Sequence, residues 1–147
     1  MDLPPYFHGA RNQKETETFI YNLSIFIYMN IDKNISLNKK DLIGINQEIG
    51  GNGKFHNEGS LDFALSIAKQ KKSWLYELSY LSRALLVDHC FEDGNKRTSI
   101  IVIITYFENN NLDYDKDKLI KIVWTIAKKN VNDINKLMRM IKDAIVP

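Results

Sequence analysis

Residues 95–108, NKRTSIIVIITYFE, constrain the fold more than any other part of the chain. Within them residues 100–104 are apolar and β-branched throughout, and propensity alone allows a buried strand there. Length decides for a helix, because strands typically run to about 5–6 residues. A helix with almost no polar face has to be enclosed by other helices. The apolar run is also far too short for a membrane span, which takes about 20 residues. The expectation is an all-α, compact bundle around a buried central helix.

The rest of the sequence supplies the enclosing helices. Phe19, Leu23, Phe26 and Ile27 recur at helical spacing after the acidic residues Glu15 and Glu17, which suit a helix N-terminus. Leu42, Ile45 and Ile49 form a shorter stripe that stops at Gly50 and Gly51. The polar, glycine-rich GGNGKFHNEG loop follows, over residues 50–59. Ser60 is placed as the N-cap of a helix carrying Leu61, Ala64, Leu65 and Ala68. Ser73 caps another, with Leu75, Leu78, Leu81, Leu85 and Leu86 inward, running to about residue 88. The central helix ends at Asn109, Asn110 and Asn111, the last suited to a left-handed C-cap. Amphipathic stripes over residues 115–129 and 132–145 close the chain, giving about seven helices.

Charge and composition narrow the functional classes. With 20 Lys and Arg against 18 Asp and Glu, the net charge of +2 leaves no basic footprint, so direct nucleic-acid binding is not expected. The 44% hydrophobic and 26% charged content is that of an ordinary globular protein, and 147 residues fit a single domain over 1–147. One cysteine forbids an internal disulfide and suits a reducing setting, so a cytoplasmic location without membrane attachment is expected. The N-terminal stretch MDLPPYFHGARNQKE has no apolar signal core.

Chemistry concentrates in HCFEDGNKRTS, residues 89–99, between two helices. His89 can accept a proton at neutral pH. Asp93 offers a carboxylate of the kind that holds Mg²⁺ together with substrate phosphates. Gly94 permits backbone angles that turn successive N–H groups toward an anion, and those groups lie at a helix N-terminus. Lys96 adds a point charge and Arg97 a bidentate fork. Positive charge at a helix start opposes the dipole unless an anion lies there too. Phe91 is expected to anchor the loop in the core and Glu92 to face solvent. Cys90 beside His89 reads as a small hydrophobe, because adjacent side chains rarely face each other as a nucleophile and base must. The leading glycine of a Walker loop and the spaced carboxylates of an EF-hand are both missing.

At these residues the sequence resembles the Fic/Doc (Fido) family, whose pattern is roughly H-x-F-x-[DE]-[AG]-N-[GK]-R. Every specified position is present. EGSLDFAL, residues 58–65, is similar to the segment after the family's target-docking flap, and with YFENNNLDYD the likeness covers about residues 37–145. The resemblance implies the Fic/Doc fold, with the 50–59 loop as a flap, loop or hairpin, whose Lys54, Phe55 and His56 contact the target. It also implies ATP as co-substrate, Mg²⁺ on Asp93, phosphates on Gly94, Asn95, Lys96 and Arg97, and His89 as the base that deprotonates a target hydroxyl.

Two chemistries occur in the family. Fic-type members usually read GNGR followed by a second Arg and transfer AMP. Doc-type members carry Lys in place of the second Gly, lack the later Arg, and are toxins that phosphorylate a translation elongation factor. Lys96, and Ile100 where the second Arg would be, point to the Doc side. A lysine there fills space against the glycine backbone and binds a phosphate itself, so the triphosphate would lie with its γ-phosphorus facing His89. Adenylylation, or transfer of another nucleotide-linked group, is the alternative chemistry. A catalytically silent Fido interaction module is the alternative of another class. Many Fic proteins carry an inhibitory [ST]-x-x-x-E-[GN] helix; residues 73–77 match its first part, and Leu78 breaks it. Restraint by a separate antitoxin, or none, is therefore expected.

Overall fold

The computed structural model describes residues 37–147. The stripe of Phe19, Leu23, Phe26 and Ile27 lies outside the described residues. Within them run six helices: α1 (Lys39–Glu48), α2 (Glu58–Ala68), α3 (Trp74–Leu86), α4 (Asn95–Asn109), α5 (Lys116–Lys129) and α6 (Ile134–Lys142). No strand occurs among the described residues; pairing is limited to two isolated antiparallel bridges, Phe55 with Phe91 and Tyr114 with Ile145. No described helix is long and apolar enough to cross a membrane.

Local chemistry sets most boundaries. Asn38 and Asp41 form a reciprocal capping box at α1, each side chain bonding the other's backbone N–H. Ser73 caps α3 as expected, accepting from the Tyr76 N–H. At α2 the cap is Asn57, not Ser60. The Asn57 side chain accepts from the Ser60 N–H at 3.2 Å, which puts Ser60 inside the first turn. Asparagine caps as well as serine does, and it stands directly before Glu58, whose charge suits the helix start. Asp115 and Asp133 cap α5 and α6. The last helix is shorter than the 132–145 stripe: Ile145 leaves it to pair with Tyr114, and the N–H of Asp115 bonds the Ala144 carbonyl at 2.8 Å. Asn111 takes the left-handed conformation expected beyond α4 (φ 55°).

Helix α4 occupies the centre. Every residue from Thr98 to Phe107 is buried, and the helix packs against α1, α3 and α5. Two of its hydroxyls turn back on their own helix, Thr105 Oγ1 donating to the Ile101 carbonyl and Ser99 Oγ to that of Lys96, while Thr98 Oγ1 accepts from the Asn46 side chain of α1. That accounting is what lets a helix with polar residues be enclosed on all sides. α3 forms the second spine, touching α2, α4 and α6.

Phe107 lies at the far end of α4, fully buried, edge-on to Trp74 and tilted against Tyr114. Phe107→Ala is expected to cost about 3–5 kcal/mol of unfolding free energy, read from urea denaturation followed by circular dichroism.

Candidate functional site

Residues 89–97 join the end of α3 to the start of α4, and the loop is held from below. Phe91 is buried and stacks on Phe55 with ring centroids 5.0 Å apart. Asn95 clasps the same residue from the other side. Its Oδ1 accepts the Phe91 N–H at 3.1 Å and its Nδ2 donates to the Phe91 carbonyl at 2.9 Å. The Asn95 side chain therefore closes the loop, and what it presents toward a ligand is its backbone at the start of α4.

His89 sits above this anchor with an exposed side chain and a left-handed backbone (φ 50°), a conformation uncommon for a non-glycine residue. The backbone leaves α3 just before it, where the N–H groups of Val87 and Asp88 both bond the Arg83 carbonyl, and re-enters the core just after it through Cys90 N–H to Ala84 O at 3.0 Å. Cys90 is fully buried, and burial pushes its thiol up to about 12 from an ordinary 9.0. It is a core residue and not a nucleophile.

Gly94 is the N-cap of α4 and lies in the left-handed region (φ 77°). No side chain caps this helix, whereas a side chain accepts from the first turn of each of the other five described helices. Around the uncapped turn stand three charged groups. Asp93 Oδ1 accepts the Gly94 N–H at 2.8 Å, and Oδ2 lies 3.7 Å from Arg97 on an otherwise exposed carboxylate. Arg97 is mostly buried, while Lys96 is exposed and extends over the ring of Trp124 on α5, 5.7 Å from its centroid. The site thus brings together His89, Asp93, Gly94, Asn95, Lys96 and Arg97 on one connection anchored through Phe91 and Asn95.

Among the described residues no group of three or more His, Cys, Asp or Glu side chains is placed to hold a metal. A lone exposed carboxylate fits Mg²⁺, which keeps several waters and takes its remaining ligands from substrate phosphates. It does not fit zinc, which needs three or four protein ligands.

The loop before α2 reaches the same place. The His56 N–H donates to the Cys90 carbonyl at 2.8 Å and the Glu92 N–H to the Lys54 carbonyl at 3.0 Å, bracketing the Phe55–Phe91 bridge. In that bonding pattern the N–H and C=O of Phe55 point to the outer edge, and neither has a backbone partner among the described residues. Lys54 and His56 are exposed, whereas the Phe55 ring is half-buried between Phe91 and the Lys39 ammonium. Of the three expected target contacts, Phe55 is thus an anchor by its side chain. Glu92 faces solvent as expected and accepts from Asn52 Nδ2 at 2.9 Å.

One organising residue escaped the motif: Asn46 of α1, fully buried. Its Nδ2 donates to the Asp93 carbonyl at 2.8 Å and to Thr98 Oγ1 at 3.1 Å, and its Oδ1 accepts the Gly53 N–H at 2.9 Å. A signal existed, since Asn46 stands inside the Leu42, Ile45, Ile49 stripe, where a polar residue must find partners. A scan against protein-family models and searches of curated proteins and of solved structures found no significant match to this chain.

Asn46→Leu keeps the branched shape of the side chain but orphans the Asp93 carbonyl and the Gly53 N–H. The expected cost is about 1–3 kcal/mol per group left unpaired. Hydrogen exchange is expected to show the Gly53 amide losing protection while amides in the middle of α4 keep theirs.

Proposed function

We propose that this protein is an Mg²⁺- and ATP-dependent transferase of the Doc type, phosphorylating a hydroxyl side chain of a target protein. The observation that carries the reading is the uncapped α4 N-terminus, opened by left-handed Gly94 and flanked by Asp93, Lys96 and Arg97, with exposed His89 on the same loop. Backbone N–H groups and two cations converging there favour a polyphosphate. The nearby base supplies what transfer to an alcohol needs.

In this reading His89 removes the proton from the target hydroxyl as its oxygen attacks the γ-phosphorus. The bond from that phosphorus to the β–γ bridging oxygen breaks, and ADP leaves with the electron pair. Arg97, Lys96 and the first-turn N–H groups hold the phosphates in line and balance the charge on them. Asp93 would hold Mg²⁺, whose positive charge offsets that of the phosphate oxygens. The outward edge at Phe55 offers the target backbone a strand to pair with, beside the exposed Lys54 and His56. Lys96 in place of a glycine supports phosphoryl over AMP transfer.

The partner implied is a protein substrate, of which a translation factor is the family example, and the role is that of a toxin. The inhibitory pattern begun at residues 73–77 breaks at Leu78, which leaves restraint to a separate antitoxin or to none. Ser73 is used as the α3 cap and Leu78 is buried in the scaffold.

Incubation with cell lysate and ATP labelled at either the γ- or the α-phosphate tests this. A γ-derived label on protein, and its loss by 10²-fold or more in His89→Ala (the order of effect typical for removing one catalytic group), is the expected result. Transfer of the α-label would move the reading to adenylylation. Undiminished transfer by His89→Ala would remove His89 from the chemistry.

A further inference from the structure

From the packing of α4 on α5 we infer that Trp124 is a positioning residue for Lys96, holding its ammonium ready for polyphosphate; this rests on the phosphate site proposed above. Trp124 is one of the few large apolar side chains left exposed among the described residues, at 37%. The Lys96 ammonium lies over its ring, 5.7 Å from the centroid. Lys121 and Lys128 are exposed one turn before and after it on the same helix, so the indole stands in a cationic surround. None of these lysines has a carboxylate partner among the described ion pairs.

Two forces fix this arrangement. The positive end of α4 repels a cation in its first turn, and the indole face attracts it. An ammonium seated on a ring keeps N–H donors directed away from that ring, free to meet an anion. A lysine gives up rotamer freedom when immobilised, and the indole removes part of that loss before the ligand arrives.

Calorimetric titration of the full chain with inorganic triphosphate tests the inference, because that probe has no base or sugar to touch Trp124. Trp124→Ala is expected to weaken binding roughly 2–5-fold, the range of an exposed cation–π contact. Trp124→Phe is expected to retain most of the affinity. In a Lys96→Met background, Trp124→Ala is expected to change nothing. Unchanged or tighter binding by Trp124→Ala overturns the inference. So does a loss of equal size with and without Lys96, which would make Trp124 act on its own. A wild-type protein that takes up no triphosphate at all overturns the phosphate site itself, and this inference with it.

Discussion

One buried amide holds the candidate site in shape. Asn46 reaches from α1 into the junction of two loops and a helix, and each of its hydrogen-bonding groups is used there. In a low-dielectric interior a fully satisfied polar group fixes geometry, because any displacement strands a donor or an acceptor. Two glycines follow from it. A Cβ on Gly51 would collide with the Asn46 side chain, and one on Gly94 would come within 3.1 Å of its Nδ2. The glycine loop and the motif loop can therefore approach α1 only without side chains at those points, and Gly94 carries a backbone conformation that glycine adopts freely.

With the loop fixed from α1, the remaining contacts decide what faces outward. Asn95 and Phe55 secure Phe91 from two sides, and the Phe55–Phe91 bridge ties the segment before α2 to the motif. Their polar and aromatic groups are thereby used for support. On the open side stand His89, the Asp93 carboxylate, Lys96 and the first turn of a 15-residue helix without a side-chain cap, with the mostly buried Arg97 behind Asp93. Exposed polar groups and supporting contacts alternate within one short motif, residue by residue.

Much of this was legible in the sequence. The all-round apolar character of residues 98–107 placed α4 at the centre, because no other location satisfies such a helix. The buried Phe91, the inert Cys90, the solvent-facing Glu92 and the left-handed Asn111 followed from residue chemistry and local pattern. Less was legible where two side chains compete for one role. Asn57 and Ser60 both make good caps, and three-residue spacing alone does not choose between them. The end of α6 depends on a pairing of Ile145 with Tyr114 that helical periodicity cannot express. The Asn95 clasp on the Phe91 peptide was not legible because nothing in the spacing marks a side chain that bonds a backbone four positions earlier, and Asn46 was hidden because its partners are far along the chain.

In the proposed function the start of α4 receives a polyphosphate, on a loop that Asn46 anchors. Two-dimensional amide NMR of the protein titrated with Mg-ATP tests it most directly. The largest shift changes are expected on the amides of residues 94–97 and on His89, with the middle of α4 unmoved. Absence of shifts, or shifts centred away from that turn, would contradict it.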